Sequence, residues 1–212
     1  MVDRHHVAGI EVCWHIIPLH TPHVLRHCVK CGTGRRFASS DKFRLNVQQR
    51  KVDVWLVYKC LVCAQTWNCT IVTRQTPEDI GEDLYQRFVR NDRRLAWHYA
   101  FDSSLLHRAG VRVDAAVAVR VEQAVPHGMM GNGRPQRIRL VLDYPCTLRL
   151  DRLLAQAWQV SRASVHRWYE HGLLQVWPAE KHPLRKPICH GQVLCLAAGK
   201  GLPEAPCEAI AT

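Results

Sequence analysis

Two cysteine pairs of the form Cys-x-x-Cys provide the clearest chemical signal in this sequence. Cys28 and Cys31 form the first pair, Cys60 and Cys63 form the second, and twenty-eight residues separate the pairs. Pairs at such spacing occur where two short turns place four thiolates tetrahedrally around one zinc ion. Because four sulfur ligands leave no position for water or substrate, the predicted ion stabilises structure and does no chemistry.

Other interpretations of the cysteines are weaker. A small residue follows each pair, Gly32 and Ala64, as the turn of a metal-binding knuckle prefers. A redox role is disfavoured because no βαβ pattern surrounds either pair. The sequence does not distinguish zinc from iron. The other six cysteines are expected to be reduced thiols and mostly small buried hydrophobic residues: Cys13, Cys69, Cys146, Cys189, Cys195 and Cys207.

A second group of residues, near the C-terminus, could bind phosphate. A predicted helix begins at Asp151, and Ser161 is expected to cap a second helix. Four arginines lie on the polar side of these helices, with Asp151 as the only acidic residue among them: Arg149, Arg152, Arg162 and Arg167. Guanidinium groups pair with phosphate oxygens, and helix N-termini direct amides the same way. An ordinary solvated helix surface explains the four arginines equally well when they are taken alone.

The charge balance favours a polyanionic partner. The 212 residues include 29 Lys and Arg against 18 Asp and Glu, a formal charge of +11. The excess lies at the two ends, since residues 1–75 contain 11 basic and 4 acidic residues and residues 147–212 contain 8 and 5. A solvated positive surface without a partner is the alternative. We expect a cytoplasmic protein, because the N-terminus lacks the form of a signal peptide and no apolar run approaches the ~18 residues of a membrane helix.

Hydrophobic periodicity predicts an α+β protein whose first part, residues 1–75, is a zinc ribbon. Strands are expected at 44–47, at 52–58 and from Trp67, beside the two knuckles. One face of the second strand is apolar by strict alternation: Val52, Val54, Leu56 and Tyr58. A sheet this small would need the metal for its stability.

The middle part, residues 76–146, is expected to contain helices followed by a long β-hairpin. Apolar residues recur every four positions from Ile80 to Phe88, which predicts a helix. From Val111 to Val121 the period changes to two, which predicts a half-buried strand, and residues 138–142 are its expected partner. The glycine-rich segment 126–135 is interpreted as the mobile tip of this hairpin.

The third part, residues 147–198, resembles the alpha-L RNA-binding motif of a ribosomal small-subunit protein, also found in pseudouridine synthases, tyrosyl-tRNA synthetases and small ribosome-rescue proteins. The similarity rests on Arg149-Leu-Asp-Arg-Leu-Leu154, Ser161-Arg162, Trp168-Tyr169-x-x-Gly172-Leu-Leu-Gln-Val176 and Gly191-Gln-Val-Leu194. It implies two helices and a small twisted sheet, and RNA-facing positions for Arg149, Arg152, Ser161, Arg162 and Arg167. The sequence departs from the motif at Gln159, where glycine is usual, at residues 178–180 and at Gln192. Residues 199–212 form a tail.

The chain is also similar, over nearly its full length, to a bacterial family known only as a domain of unknown function. This similarity rests on Thr21-Pro-His-Val-Leu-Arg-His-Cys28, Phe37-Ala-Ser-Ser-Asp-Lys-Phe-Arg-Leu-Asn46, Asp53-Val-Trp-Leu56, Thr66-Trp-Asn68 and Asn91-Asp-x-x-Leu-Ala-Trp97. It implies an architecture but no activity.

These features together predict a non-catalytic, zinc-containing protein that binds structured RNA, such as ribosomal RNA. Trp55 and Trp67 could stack on bases if they are exposed, although aromatic residues at strand spacing are more often buried. A DNA-binding regulator and a protein-interaction scaffold are the alternatives, and the sequence indicates no particular protein partner. A small RNA-modifying enzyme is a third hypothesis, for which the middle part offers only His98, Asp102 and Ser103.

Overall fold

The computed structural model describes residues 11–124, 136–197 and 209–210. The described residues form two β-sheets and six α-helices, which confirms the mixed α+β class. The predicted loop tip at 126–135 lies outside them, as does the predicted tail at 199–212 apart from one two-residue strand.

The chain divides into two compact units. We call residues 20–115 the knuckle unit, because it contains both cysteine pairs. We call residues 1–19 together with 116–212 the helix-pair unit, because it contains both helices that bear the arginines.

The strands in chain order are β1 (Glu11–Pro18), β2 (His23–Cys28), β3 (Thr33–Gln48), β4 (Lys51–Cys60), β5 (Thr66–Gln75), β6 (Arg112–Asp114), β7 (Val119–Ala124), β8 (Gln136–Leu142), β9 (Leu174–Trp177), β10 (Val193–Leu196) and β11 (Ala209–Ile210). The helices are α1 (Pro77–Ile80), α2 (Glu82–Val89), α3 (Arg93–Phe101), α4 (Ser103–Arg108), α5 (Leu150–Ala157) and α6 (Arg162–Glu170), with a 3₁₀ turn at Pro183–Arg185. None of these helices is long and apolar enough to cross a lipid bilayer.

The knuckle unit contains a five-stranded antiparallel sheet in the order β5-β4-β3-β2-β6. The alternation predicted for β4 is confirmed, because four side chains on one of its faces are fully buried: Val52, Val54, Leu56 and Tyr58. Gln49 and Arg50 connect β3 to β4 with φ of 49° and 59°. Two residues with positive φ form the turn whose twist matches that of a β-hairpin.

Helices α1 to α4 follow β5 in the knuckle unit and share one core with the sheet. The side chain of Thr76 caps α1 by accepting a hydrogen bond from the amide of Asp79. Phe88 of α2 is fully buried, and its ring packs edge to face against Phe43 of β3, with 4.9 Å between ring centroids. The knuckle sheet therefore has more apolar support than a zinc ribbon alone would supply.

The helix-pair unit contains a six-stranded sheet in the order β11-β7-β1-β8-β10-β9. β1 and β8 run parallel, and the other neighbouring strands are antiparallel. Trp14 of β1 is almost fully buried and packs edge to face against Trp158, with 6.0 Å between ring centroids. Leu150, Leu153 and Leu154 bury one side of α5 in the same core.

These units differ from the three-part division predicted from the sequence. β1 was expected to belong to the ribbon, but it lies in the sheet of the helix-pair unit. The helices of residues 77–108 share the core of the knuckle unit instead of beginning a separate middle part. Periodicity identifies which face of an element is buried but does not identify the element that covers it.

The prediction that residues 111–121 and 138–142 pair as a long hairpin is wrong. β6 and β7 join different sheets, and residues 115–118 between them form no strand. β1 separates β7 from β8, with Trp14 opposite Gln123 on one side and Leu140 on the other. The central position of β1 buries Trp14, and this apolar burial is unavailable to an isolated two-stranded hairpin.

Candidate functional site

The four cysteines of the two pairs meet at one end of the knuckle unit. Cys28 ends β2 and Cys60 ends β4, so that each pair spans the turn to the next strand. The amide of Gly32 donates to the carbonyl of Cys28 at 2.9 Å, and the amide of Ala64 donates to that of Cys60 at 3.0 Å. The two turns therefore share one hydrogen-bonding pattern.

The residue after each pair has the left-handed conformation that this turn requires. Gly32 has a φ of 68° and Ala64 has a φ of 58°. Glycine adopts such angles without steric cost, whereas a residue with a Cβ atom is disfavoured there. Backbone geometry thus explains Gly32, whereas Ala64 adopts the same conformation against its steric preference.

The sulfur atoms of Cys28, Cys31, Cys60 and Cys63 all lie within 4.8 Å of one another. The sulfur atoms of Cys28 and Cys63 are 3.5 Å apart, and all four cysteines are free. Sulfur atoms bound tetrahedrally at Zn–S distances of ~2.3 Å would be about 3.8 Å apart. This thiol cluster could hold a metal ion, and it is the one such group of histidine, cysteine and acidic side chains among the described residues.

The protein environment shifts the pKa values of two thiols of the cluster in opposite directions. Burial opposes charge on Cys60, but hydrogen bonds from the amides of Cys63 and Val62 outweigh it and lower the pKa of Cys60 to about 7. The amide of Gln65 favours charge on Cys63, but burial and the neighbouring cysteines raise the pKa of Cys63 to about 12. A bound cation would favour the thiolate form of its cysteine ligands, with release of their protons.

Arg26 lies beside the thiol cluster, a contact that we did not predict from the sequence. Its guanidinium stacks on the ring of Trp67 at 4.5 Å from the centroid. Burial lowers the pKa of Arg26, and the charges of Cys28 and Cys69 act in the opposite direction. A cation two residues from Cys28 partly compensates the charge of a tetrathiolate. Trp67 also packs against Tyr58, at 5.2 Å between centroids, so that it is partly buried in the core.

Two segments that carry the family similarity, 37–46 and 91–97, meet at a bulge in β3. The pairing of β3 with β4 shifts register between Ser39 and Phe43. Asn91, whose φ is 54°, accepts a hydrogen bond from the amide of Phe43 at 2.7 Å. The carboxylate of Asp41 accepts hydrogen bonds from Trp97 at 3.0 Å and from Arg93 at 3.2 Å. These residues fasten the helices to the sheet.

In the helix-pair unit, Asp151 lies at the centre of the predicted arginine group. Its side chain is fully buried in the first turn of α5, which begins at Leu150, one residue before the predicted start. The Oδ2 atom accepts hydrogen bonds from Nη2 of Arg149 at 2.7 Å and from Nη2 and Nε of Arg162 at 2.8 and 3.1 Å. Nε2 of His166 lies 3.3 Å from the same oxygen. We call these four residues the Asp151 cluster.

The Asp151 cluster favours the charged carboxylate. Burial raises the pKa of Asp151, but the hydrogen bonds from Arg162 and His166 and the charges of the two arginines outweigh it and lower the pKa. The side chains of Arg149 and Arg162 remain 40% and 54% exposed. An internal anion therefore orients two guanidinium groups that still reach solvent.

The other predicted RNA-facing residues have distinct roles. Ser161 is the N-cap of α6, as expected, and its hydroxyl accepts a hydrogen bond from the amide of Ser164 at 3.1 Å. Arg152 and Arg167 are exposed, and neither side chain forms a hydrogen bond or ion pair within the described ranges. Gln159, where the alpha-L motif has glycine, adopts a φ of 52°. The helix connection thus keeps a glycine-like conformation without glycine.

Asp102, one of the three residues weighed for catalysis, has a structural contact. Its carboxylate accepts a hydrogen bond from the amide of Leu105 at 2.9 Å and so caps α4. Its neighbour Ser103 is the first residue of that helix, and His98 is exposed on α3. Capping explains why an aspartate occupies position 102.

The fold and the site define a mixed α+β protein with a four-thiol cluster that could hold a metal ion. Residues 45–179 match a family described as "Protein of unknown function (DUF1062)", and the chain belongs to this family. The matched range is shorter than the near full-length similarity predicted from the sequence; it includes Cys60 and Cys63 and begins after Cys28 and Cys31. No curated protein matches the chain, and no solved structure matches it.

Proposed function

We propose that this protein binds structured RNA through the arginines of α5 and α6, and that its thiol cluster holds one structural zinc ion. The observation that supports RNA binding is the Asp151 cluster, in which a buried carboxylate orients Arg149 and Arg162 while both remain partly exposed. Guanidinium groups fixed in advance lose less conformational entropy when they bind a phosphate. Arginine is suited to this role because its planar donors can form two parallel hydrogen bonds to phosphate oxygens.

The charge of this surface also supports the proposal. Asp151 neutralises only one of the two guanidiniums that it contacts, and Arg152 and Arg167 add two exposed positive charges on the same helices. A polyanion would be attracted to such a surface, and the attraction would weaken as salt increases. The proposed binding surface comprises Arg149, Arg152, Arg162 and Arg167, with Ser161 at the start of α6.

The order of elements favours RNA over DNA as the polyanion. α5, α6, β9 and β10 follow one another, and β9 pairs with β10 in antiparallel orientation. The alpha-L resemblance implies this arrangement. Modules that recognise folded RNA by shape and phosphate contacts do not need a helix that reads base edges in a major groove. We therefore propose an alpha-L-like RNA-binding module within the helix-pair unit.

Zinc is the metal that best fits the thiol cluster and the proposed ribbon around it. Four thiolates form a soft ligand set that favours zinc or iron, and a tetrahedral site closed to solvent ligands suits a structural zinc ion. Reduced thiols also fit a cytoplasmic location. Metal analysis of the purified protein should find one zinc per chain. Iron in its place, with the visible absorption of an iron–sulfur centre, would contradict the zinc assignment.

RNA binding is tested by titrating the metal-loaded full chain with a fluorescent RNA hairpin and with a DNA duplex of the same stem length. We expect the RNA to bind more tightly. The double variant Arg152→Gln/Arg167→Gln removes two charges from the proposed surface without touching the Asp151 cluster. It should weaken RNA binding by about tenfold or more, because each lost phosphate contact costs about 1 kcal/mol or more.

A matched variant distinguishes the loss of the proposed binding surface from the loss of any two positive charges. Arg90→Gln/Arg94→Gln removes the same charge from two exposed positions in the knuckle unit. This control should retain nearly all of the RNA affinity. Equal losses in the two double variants, or tighter binding to the DNA duplex, would contradict the proposal.

A further inference from the structure

The tips of the two cysteine knuckles carry exposed apolar side chains. Val29, between Cys28 and Cys31, is 83% exposed, and Leu61 and Val62, between Cys60 and Cys63, are 54% and 66% exposed. Burying a side chain of this kind contributes about 1.5–3 kcal/mol, so leaving three in water forgoes a substantial stabilisation. Exposed apolar residues that cluster, unlike isolated ones, mark interaction sites.

The thiol cluster joins these three residues into one surface. All four sulfur atoms lie within 4.8 Å of one another, and each apolar residue is at most two positions from a cysteine of the cluster. The pairing of β2, β3 and β4 brings the two knuckles side by side, and the thiol cluster joins them at the cysteines. We call Val29, Leu61 and Val62 the knuckle-tip patch.

The chain around the knuckle-tip patch is basic, because its six Lys and Arg residues outnumber the net charge of −2 that a zinc tetrathiolate would add. No Asp or Glu occurs in residues 21–40 or 54–76, which include both knuckles and most of the strands that lead to them. Lys30 lies within the first knuckle, Lys59 directly precedes the second, and both are exposed. A complementary partner would combine apolar side chains with negative charge. A second copy of the same patch would bring like charges together, which disfavours self-association.

The apolar residues also distinguish a protein partner from a nucleic acid. Unpaired bases stack on aromatic rings, whereas the patch consists of valine and leucine. The nearby aromatic residue, Trp67, is occupied by contacts with Arg26 and Tyr58. Aliphatic side chains gain free energy when other apolar side chains cover them.

We propose that the knuckle-tip patch is a docking surface for a protein segment that carries both acidic and apolar side chains. The patch shares no residue with the RNA-binding surface proposed on α5 and α6. A metal ion bound by the thiol cluster would fix the two tips relative to each other, so that metal removal should weaken binding to the patch.

The experiment selects ligands for the metal-loaded full chain from a library of random twelve-residue peptides. The strongest peptides are then synthesised and titrated by fluorescence anisotropy. We expect the selected peptides to be rich in Asp, Glu and large apolar residues. Val29→Thr/Val62→Thr should bind them at least about tenfold more weakly, because two apolar contacts are replaced by polar side chains of similar shape.

Two further variants locate the effect. Val47→Thr changes a valine that is 56% exposed near the hairpin turn of β3 and β4, and it should leave peptide affinity unchanged. Lys30→Glu should lower the affinity for acidic peptides by several-fold, and the effect should be smaller at high salt. Metal content is measured for each variant, so that loss of the thiol cluster is not mistaken for loss of the patch.

Several results would overturn this docking surface. Selection of basic peptides, failure to enrich any peptide, or unchanged affinity in Val29→Thr/Val62→Thr would each do so. A loss of RNA affinity in that variant, with peptide binding intact, would assign the patch to nucleic acid instead. Retained RNA affinity with lost peptide binding is the expected pattern, and it does not depend on whether the arginine surface binds RNA.

Discussion

The two units each gather several chain segments around a charged centre, but the centres have opposite sign. In the knuckle unit, four thiols from two turns lie close enough to surround a cation. In the helix-pair unit, two guanidinium groups and an imidazole surround one buried carboxylate. The first centre has only a partial counter-charge, from Arg26, whereas the carboxylate of the second is paired directly with two guanidinium groups.

This difference predicts which unit depends on an external partner for its stability. Four thiolates repel one another without a cation, so that the knuckles gain their geometry from a bound ion. The Oδ2 atom of Asp151 is paired with arginines of the same unit, whereas its Oδ1 atom is buried without a hydrogen-bond partner among the described residues, and the arginines retain exposed surface. The first centre is therefore suited to holding a fold together, and the second is suited to presenting positive charge.

The largest expected effect is the loss of one thiol ligand. Cys60→Ser should unfold the knuckles, since structural zinc contributes about 10–16 kcal/mol of apparent binding free energy and a whole domain is stable by only about 5–15 kcal/mol. Hydrogen exchange measured by mass spectrometry should accelerate across residues 20–115. Cys189→Ser, at an exposed cysteine outside the cluster, is the control. Unchanged exchange in Cys60→Ser would mean that the sheet and its helices are sufficient without the ion.

The next effect concerns the carboxylate centre. Asp151→Asn should destabilise the helix-pair unit by about 3 kcal/mol, because it weakens several charge-assisted hydrogen bonds, while the partial exposure of both arginines limits the loss. Urea denaturation measures the loss. Glu122→Gln removes an exposed partner of Arg120 and should cost at most about 1 kcal/mol. Similar losses in both variants would remove the distinction between the buried cluster and a surface ion pair.

The uncharged hydrogen bond between Asn91 and Phe43 in the knuckle unit should contribute less to stability than either charged centre. Asn91→Ala removes the hydrogen bond to the amide of Phe43 and places a Cβ-bearing residue without a polar side chain at a φ of 54°. We expect a loss of about 2 kcal/mol from the two causes together. Asn91→Gly removes the same hydrogen bond but tolerates the backbone angle, so it should lose about 1 kcal/mol less. Equal urea midpoints for the two variants would show that the backbone angle contributes nothing.

The smallest expected effect is the acid dependence of the Asp151 cluster. The folded pKa of Asp151 is lowered, so that its stabilisation is complete above the unfolded value of ~3.9 and is lost as pH falls through the folded value. The difference in unfolding free energy between the natural protein and Asp151→Asn should therefore be constant near neutrality. It should shrink below about pH 4. A difference that shrinks between pH 8 and pH 6 would implicate another titrating group.

The sequence predicts the two centres to different degrees because their parts are spaced differently. The ligands of the thiol cluster occur as two pairs with fixed internal spacing, and the turn that each pair needs is local, so that all four residues could be named. The Asp151 cluster draws on two helices, and nothing in the spacing of Arg149, Arg162 and His166 shows that they share one oxygen. The single aspartate among the arginines is a usable signal, but the prediction placed it only at the start of a helix.

The same contrast explains the fold. Alternation in β4 is a local pattern, and this strand is present at the predicted position. The pairing of β1 with β7 and β8 joins residues more than 100 positions apart. Such pairing depends on how distant strands and helices pack around Trp14. A pattern within a single segment of sequence does not predict it.

The most direct test of RNA binding by the helix-pair unit is the slope of log affinity against log salt for an RNA hairpin, measured for the natural protein and for Arg152→Gln/Arg167→Gln. If both arginines contact phosphates, the magnitude of the slope should fall by roughly 2, about one for each lost contact. The slope of Arg90→Gln/Arg94→Gln should match that of the natural protein. An unchanged slope in Arg152→Gln/Arg167→Gln would contradict phosphate binding by these helices.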